Sequence, residues 1–236
     1  MHLFYAPDIA TSVELPEEEA GHCARVLRLS IGDEVELTDG KGRFYKAVIT
    51  AATQKRCRVK VVDVHEQPAL WNGTLHIAVA PTKNMDRMEW FVEKATEIGV
   101  DRFTFLNCRF SERKVIKTER IEKIVVSAMK QSLKARKPQV DEMTPFETFV
   151  RQDFGSAQKF IAHCYPGEKV LLRRALEPGK DAVVLIGPEG DFSPEEVELA
   201  TACGFRAISL GRSRLRTETA ALVSVHLMNL AATSDE

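Results

Sequence analysis

The sequence predicts an α/β protein with a small β-rich N-terminal part and a larger C-terminal part. Three short runs rich in β-branched residues precede residue 66, whereas five short apolar runs alternate with helical patterns after residue 73. Strands that alternate with helices indicate a mainly parallel sheet covered by helices. The segment from Glu66 to Gly73 contains a proline and an Asn-Gly pair, which is typical of a linker. We therefore expect one domain over residues 1–70 and a second over residues 73–236.

The N-terminal strands are predicted at Glu34 to Leu37, Phe44 to Ala51 and Arg56 to Val64, where β-branched residues are frequent. The turn from Asp39 to Gly42 joins the first two strands as a hairpin. One helix is predicted from Pro16 to Leu29, with Pro16 at its first position, N1, and acidic residues in its first turn. The pattern favours a small barrel-like module with one helix.

The C-terminal strands are predicted near residues 75–80, 103–106, 159–164, 182–186 and 206–210. A helix from Met85 to Ile98 carries four apolar residues on one face and ends at Gly99. Because the strands and helices alternate along the chain, we expect the strands to lie parallel in one sheet.

The composition is that of an ordinary globular protein, with 44% hydrophobic residues, 28% charged residues and a net charge of −1. No run approaches the roughly 18 apolar residues of a membrane span, and the N-terminus lacks a signal-peptide pattern. We therefore expect a cytoplasmic protein without a membrane partner. The scattered cysteines indicate neither disulfides nor a metal site, and each is predicted to be a small buried apolar residue: Cys23, Cys57, Cys108, Cys164 and Cys203.

The predicted strand that ends at Ile186 continues into a stiff, glycine-flanked loop. Gly187 and Gly190 are expected to take unusual φ values around a proline and a glutamate. Ser193, Pro194 and Glu196 predict a capping box at the start of the next helix, which Gly204 would end. The loop is either a tight connector or, because ligands bind at the carboxyl ends of strands in open α/β sheets, part of a ligand pocket.

A second loop occupies the equivalent place in the next strand–helix unit. Arg212, Arg214 and Arg216 lie within five residues, directly before Thr217, the predicted N-cap of the last helix. Cations beside a helix N-terminus favour an anionic ligand. The alternative is a solvated basic loop. Since both loops follow strands of one sheet and are separated by one helix, we expect them to wall a single pocket.

Basic residues are concentrated between Arg102 and Lys137, where eleven Lys and Arg stand against three acidic residues, a local charge of +8. Such a cluster can neutralise phosphates even in a protein that is nearly neutral overall. In the predicted helix near residues 120–134 the basic side chains are also explained as the solvated face of an amphipathic helix. For Arg109, Arg113 and Lys114, which lie on a loop after an apolar strand, we favour a functional role over a solvated surface.

Several segments together resemble the RsmE family, SPOUT-superfamily enzymes that methylate N3 of a uridine in bacterial small-subunit ribosomal RNA. The two signature segments are Ile186 to Phe192 and Leu210 to Ala220. Two departures stand out, since Ser213 and Arg214 replace an expected arginine and aliphatic residue, and Lys130 and Lys134 replace an acidic residue and an arginine. The likeness covers nearly the whole chain through further matches at His22, Arg25, Val26, Leu27, Arg28, Lys83, Glu89, Lys94, Glu97 to Gly99, Arg109 to Arg113, Gln131 and Ser132.

The resemblance implies a C-terminal SPOUT domain with a trefoil knot and an N-terminal PUA-like RNA-binding barrel. It implies S-adenosylmethionine as cofactor, 16S rRNA, within the small ribosomal subunit, as substrate, and a homodimer as the working form. The implied cofactor-binding residues are Ile186, Gly187, Pro188, Glu189, Gly190, Leu210, Gly211, Leu215 and Thr217. The implied RNA-binding residues are His22, Arg25, Arg28, Lys83, Arg109, Ser111, Arg113, Lys114, Lys130 and Gln131.

Methylation at N3 of uracil requires loss of a proton, which spreads negative charge onto the flanking carbonyl oxygens. A fixed cation there stabilises the transition state by roughly 3 to 4 kcal/mol where water is excluded. Arg216 is the first candidate, and Arg214 stands in for the displaced family arginine. Glu218 is either the general base or a stabilising acid in the first turn of a helix, and His163 is a further candidate base.

Three functions remain open from the sequence: a uridine N3-methyltransferase, a SPOUT methyltransferase of another RNA atom such as a ribose hydroxyl, and a noncatalytic RNA-binding assembly factor. The matches outside the cofactor loops favour the first over the second. The intact cofactor motifs favour catalysis over the third.

Overall fold

The computed structural model describes residues 2–53 and 55–233, which belong to two compact units. One unit comprises Met1–Ala69 together with Val126–Lys137, and the other comprises Leu70–Val125 together with Pro138–Glu236. None of the helices in the described ranges is long and apolar enough to cross a membrane.

The first unit is built on a four-stranded sheet in the order β1-β2-β3-β4. β1 pairs parallel with β2, and the other pairs are antiparallel. The predicted hairpin is confirmed, because Thr38 lies opposite Phe44. The three-residue β1 was not predicted from the sequence. The strands are β1 Leu3–Tyr5, β2 Glu34–Thr38, β3 Arg43–Ala52 and β4 Cys57–Glu66.

The helix of this unit differs from its prediction at both ends. Pro16 is the N-cap residue rather than N1, so that α1 spans Glu17–Gly21. A turn of π-helix, His22–Val26, follows, and the helical structure does not reach Leu29. Arg28 has a φ of 55°, a left-handed conformation that cannot continue a right-handed helix.

Residues 126–137 join the first unit although they lie far along the chain. The Gly42 N–H donates to the Ala135 carbonyl at 2.8 Å, and the Lys137 N–H donates to the Gly40 carbonyl at 2.9 Å. The Thr38 hydroxyl donates to the Ala135 carbonyl at 3.2 Å. The end of the basic segment is therefore attached to the hairpin turn of the barrel, which its sequence position did not predict.

The second unit contains an eight-stranded, wholly parallel sheet in the order β10-β12-β9-β11-β5-β6-β7, with β8 also paired to β6. The five predicted strands are confirmed as β5, β6, β9, β11 and β12, whereas the short β7, β8 and β10 were missed. The strands are β5 Leu75–Val79, β6 Arg102–Asn107, β7 Gln139–Val140, β8 Thr144–Pro145, β9 Gln158–Ala162, β10 Val170–Leu171, β11 Ala182–Ile186 and β12 Arg206–Ser209.

Helices cover both faces of this sheet, which explains why β5 and β11 are buried at every position. In β11, Ala182, Val184 and Ile186 belong to one core cluster, and the alternating Val183 and Leu185 belong to the other. The predicted helix at Met85 to Ile98 is confirmed with its end at Gly99. The helices are α2 Met85–Ile98, α3 Thr118–Gln131, α4 Phe146–Val150, α5 Leu172–Ala175, α6 Pro194–Ala202 and α7 Thr217–Ala232.

All five cysteines are free thiols. Cys23, Cys57 and Cys108 are buried as expected. The expectation is wrong for Cys164, which is exposed, and for Cys203, which is half-buried, because both lie beyond the ends of regular elements rather than inside the core.

Candidate active site

Because every strand of the second sheet is parallel, the loops after β5, β6, β9, β11 and β12 leave the same edge of the sheet. Two of these are the glycine-containing loops that the sequence predicted. The first loop, residues 187–192, follows β11, and the second loop, residues 210–216, follows β12. Ligands of open α/β sheets bind at this edge, so it is the candidate active site.

The positive φ of the first loop belongs to Asp191, at 68°, and not to Gly187 or Gly190 as expected. Its carboxylate stabilises this conformation by accepting the N–H of Phe192 at 2.8 Å and the N–H of Cys164 at 2.7 Å. Aspartate tolerates the left-handed region when its side chain bonds to nearby backbone.

The two glycines of this loop are required for space. A Cβ at Gly190 would lie 3.2 Å from Cβ of Phe110, and a Cβ at Gly187 would lie 3.1 Å from the backbone nitrogen of Phe192. Both distances are tighter than ordinary contacts, so a larger residue would displace the neighbouring loop or the backbone of this one. The glycines thus keep the loop closely folded.

Glu189 fastens the first loop to the segment after β5. Its Oε1 accepts the N–H of Lys83 at 2.9 Å. From the other side Arg113 donates to the carbonyls of Thr82, at 3.3 Å, and Lys83, at 2.6 Å. Loops that follow three neighbouring strands are therefore joined by side chain to backbone bonds.

The predicted capping box at the start of α6 is confirmed, with the hydroxyl of Ser193 accepting the N–H of Glu196 at 3.2 Å. The carboxylate of Glu196 accepts the N–H of Ser193 at 2.8 Å and, through its other oxygen, the N–H of Arg109 at 2.8 Å. Gly204 follows the helix with a φ of 86°, as its predicted role at the helix end requires. Glu196 thus holds the loop after β6 as well as its own helix.

The second loop makes few bonds of its own. Gly211 has a φ of 137°, and its N–H donates to the hydroxyl of Ser209 at 3.2 Å. Within the described part of the chain no hydrogen bond or ion pair holds the exposed guanidinium groups of Arg212, Arg214 and Arg216. These three cations are available to an anionic ligand.

The expected N-cap role of Thr217 is wrong, since the N-cap position of α7 is Arg216, without a side-chain cap. The hydroxyl of Thr217 instead donates to the carbonyl of Gly187 at 3.2 Å. This bond joins the first residue of α7, directly after the second loop, to the first loop. The first loop is therefore connected to the chain at the end of the second loop.

Glu218 is only 7% exposed, and its Oε2 is buried without a hydrogen-bond partner among the described residues. Its Oε1 lies 3.8 Å from Nε of Arg87, at the start of α2. His163, after β9, has a buried Nδ1 without a described partner. Burial and the nearby charge of Lys169 lower the pKa of His163, which keeps its ring neutral near pH 7.

The predicted RNA-binding residues of the second unit differ in their exposure and in their contacts with other residues of the protein. Lys83, Arg109 and Lys114 are exposed, although Lys83 Nζ lies 2.9 Å from Glu112. Ser111 is buried, and its hydroxyl accepts the N–H of Cys108 at 3.0 Å. An open cleft of about 280 Å³ is lined by Lys83, Glu112, Arg113, Lys114 and Val115.

In the first unit His22, Arg25, Arg28 and Gln131 are exposed. Lys130 is engaged in an ion pair with Glu19, at 2.5 Å between Nζ and Oε1. Its ammonium group therefore has a carboxylate partner within the unit, which opposes a role as a free phosphate contact.

Sequence reasoning missed three residues of the site: Phe110, Asp191 and Arg87. Phe110 is 46% exposed beside Gly190. The segment Arg109 to Arg113 carries both a cluster of charges and a match to the RsmE family, and an aromatic residue among cations was the signal that could have identified Phe110. Nothing in the sequence around Arg87 indicates its position near Glu218. The described residues contain no group of His, Cys, Asp and Glu able to hold a metal ion.

The parallel sheet, with paired loops at its carboxyl edge and a separate small barrel, defines a SPOUT-type methyltransferase with a PUA-like domain. The family model of the RNA methyltransferase domain matches residues 70–229, and that of the RNA methyltransferase PUA domain matches residues 15–62.

Individual relatives agree with this class. The ribosomal RNA small subunit methyltransferase E of Mycobacterium bovis is 30% identical, over 94% of this chain and 89% of the relative. A structure described as a "probable rRNA-methyltransferase" from Porphyromonas gingivalis has a TM-score of 0.93 at 46% identity, covering 98% of each chain. The methyltransferase E of Neisseria gonorrhoeae, solved with bound S-adenosyl methionine, has a TM-score of 0.84 at 26% identity, covering 98% of this chain and 97% of that one. The chain belongs to the ribosomal RNA small subunit methyltransferase E family.

Proposed function

We propose that this protein transfers the methyl group of S-adenosylmethionine to N3 of a specific uridine in 16S rRNA, within the small ribosomal subunit in the cytoplasm. The observation that carries the proposal is the joining of the two loops at one edge of the parallel sheet, by the bond from Thr217 to Gly187. Family membership supports rRNA methylation. The experiment described below determines which atom of the RNA is methylated.

The cofactor lies against the backbone of the two loops. Gly187 and Gly190 let the first loop fold closely against Phe192 and Phe110, and Gly211 faces open space. S-adenosylmethionine supplies the methyl group when it is bound. The residues that hold it are Ile186, Gly187, Pro188, Glu189, Gly190, Leu210, Gly211, Leu215 and Thr217.

Arg216 stabilises the uracil anion. It is exposed at the N-terminus of the sixteen-residue α7, where the helix dipole also favours negative charge. Its guanidinium donates hydrogen bonds to a carbonyl oxygen beside N3 as charge develops there. Arg214, the second exposed cation of the loop, assists.

Glu218 accepts the proton from N3 through water, since the residue is only 7% exposed. The unpartnered Oε2 supports this role, since it has the acceptor capacity that a general base needs. Arg87 lies near the other oxygen and orients the carboxylate.

RNA is held by both units. On the second unit the exposed cations are Lys83, after β5, and Arg109 and Lys114, after β6. Ser111 and Arg113 hold the loop after β6 in place. On the first unit His22, Arg25 and Arg28 are exposed at the π-helical turn, and Gln131 is exposed at the end of α3. Replacing Lys114 with alanine should flatten the salt dependence of RNA binding by about one unit.

The protein works as a homodimer. Trp90 on α2 and Leu230 on α7 are 45% and 58% exposed, and these two helices pack against each other. Large exposed apolar side chains on adjacent helices favour association with a second copy. Leu230→Asp should shift the sedimentation coefficient from that of a dimer to that of a monomer, whereas Val13→Asp, at an exposed position of the other unit, should not.

The decisive experiment is methylation of small subunits and of free 16S rRNA lacking the modification, followed by mass spectrometry of nucleosides. N3-methyluridine is expected. A 2′-O-methylated nucleoside would replace the proposal with a ribose methyltransferase. Binding without any methylated product, in the presence of S-adenosylmethionine, would indicate a noncatalytic assembly factor.

A further inference from the structure

We propose that Phe110 is the stacking residue for the target nucleotide, its ring lying against the face of the uracil and holding the base beside the cofactor loop. The inference rests on the proposed function and extends it to Phe110, which lies in the matched segment Arg109 to Arg113 but had no role assigned from the sequence. It starts from an exposed aromatic ring on a rigid loop, next to the loop proposed for the cofactor.

The loop that carries Phe110 is held firmly on both sides of the ring. The N–H of Arg109 donates to Glu196 at 2.8 Å. Cys108 and Ser111 close a turn with two bonds, from Cys108 N–H to the Ser111 hydroxyl at 3.0 Å and from Ser111 N–H to the Cys108 carbonyl at 3.1 Å. The backbone of Phe110 is therefore fixed before any RNA binds.

The ring itself is left partly uncovered. Phe110 is 46% exposed, whereas Phe103 and Phe105 on the preceding strand are fully buried. Its approach to Gly190 is made through its first side-chain atoms, since Cβ lies 3.2 Å and Cγ 3.9 Å from the position that a Gly190 Cβ would take. The exposed part of the ring is an apolar surface that a ligand can cover.

The position of Phe110 favours a nucleobase as that ligand. Phe110 lies beside the first loop at Gly190. The residues that follow it in the chain line a cleft with three cations and one acid, formed by Lys83, Glu112, Arg113, Lys114 and Val115. A cationic cleft follows a phosphate backbone, and an aromatic ring beside it stacks with a base. An enzyme that acts on a base must also hold that base out of its helical stack.

The test compares two synthetic RNAs that differ at one position. One carries the uridine that mass spectrometry identifies as the methylation site, and the other carries an abasic ribose there. Binding of each RNA is measured for wild type, Phe110→Leu and Phe110→Tyr in the presence of S-adenosylhomocysteine, so that no reaction occurs. Val115→Ala, which changes an exposed apolar residue that lines the neighbouring cleft, is the control.

Phe110→Leu should weaken binding of the uridine RNA roughly tenfold, because a stacked base loses most of its contact with the ring. Binding of the abasic RNA should change less than twofold, because the partner of the ring is absent. Phe110→Tyr should retain the affinity of wild type, since its ring stacks equally well. Val115→Ala should not distinguish the two RNAs.

If Phe110→Leu weakened the binding of both RNAs equally, the stacking role would be overturned. The substitution would then have a general effect on the loop. Unchanged binding of both RNAs would overturn it as well. A Phe110→Leu protein with weakened cofactor binding in calorimetry would assign the ring to the cofactor instead. Failure of the proposed function is separate, since it appears as absence of N3-methyluridine with the wild-type protein.

Discussion

The two loops of the active site are both rich in signature residues, yet they are built in opposite ways. The first, residues 187–192, is fixed by the carboxylates of Glu189 and Asp191 and by the close approach of Gly190 to Phe110. The second, residues 210–216, leaves three guanidinium groups exposed and without described partners. The first loop is therefore preformed, whereas the second loop leaves its cations free to bind a ligand.

Preformation matters because a loop that is ordered before binding does not lose that conformational entropy when the ligand arrives. Free cations matter because a charge already neutralised by the protein stabilises a developing anion less. Each loop can therefore be tested by a substitution that removes its particular property.

The largest effect is expected in the second loop. Arg216→Ala should lower the single-turnover rate roughly a hundredfold or more while S-adenosylmethionine affinity changes little, because its interaction forms mainly in the transition state. Raising the pH should partly restore the rate, since hydroxide ionises N3 without the cation. Rapid-quench kinetics with saturating RNA measure this.

The matched control is Arg212→Ala, which removes a cation of the same loop that has no proposed catalytic role. It should keep a rate within a few-fold of wild type. Normal turnover of Arg216→Ala, or a loss explained wholly by cofactor affinity, would remove Arg216 from catalysis and leave Arg214 and Glu218 to be tested.

In the first loop Gly190→Val should weaken S-adenosylmethionine binding roughly tenfold, because branched carbons must displace Phe110 and the backbone beside it. Gly190→Ala adds one methyl group at 3.2 Å from Phe110 Cβ and should have a smaller effect. Calorimetry on the folded variants measures both. Unchanged affinity in Gly190→Val would show that the cofactor is not held at this loop.

The bond between the loops can be removed without changing the shape of the side chain. Thr217→Val deletes the hydroxyl that donates to Gly187 at 3.2 Å and should lower the free energy of unfolding by ~1 kcal/mol. Thr217→Ser keeps the hydroxyl and should lose less. Urea denaturation compares the two, and equal stabilities would mean that the bond contributes nothing to joining the loops.

The smallest effect concerns His163, which lies after β9. Burial, then Lys169, lower its folded pKa, against the opposing influence of Asp191. The unfolded chain therefore binds a proton more readily, so the stability from the neutral ring is present above about pH 6.5 and lost as the pH falls below it. Wild type should lose more unfolding free energy between pH 7.5 and pH 5 than His163→Gln, as urea titrations at each pH would show.

The features that were predicted correctly depend on interactions between residues that lie close together in the sequence. The capping box of α6 and the end of α2 at Gly99 involve residues within a few positions of one another, and both were predicted correctly. The glycine-rich first loop was placed correctly, but the residue with positive φ was not, because the bond from Cys164 N–H to Asp191 crosses 27 positions. The family and the fold class followed from the paired motifs and are confirmed.

The sequence by itself determined the α/β class, the two loops and the type of chemistry, because strand patterns, glycines and clustered arginines are visible along a single stretch of chain. Only the tertiary structure decided which charges are free. Lys130 pairs with Glu19 across 111 positions, and Arg113 donates to backbone 30 and 31 positions away, while Arg214 and Arg216 remain exposed. A charge is neutralised by its neighbours in space, and folding rather than sequence spacing brings those neighbours together.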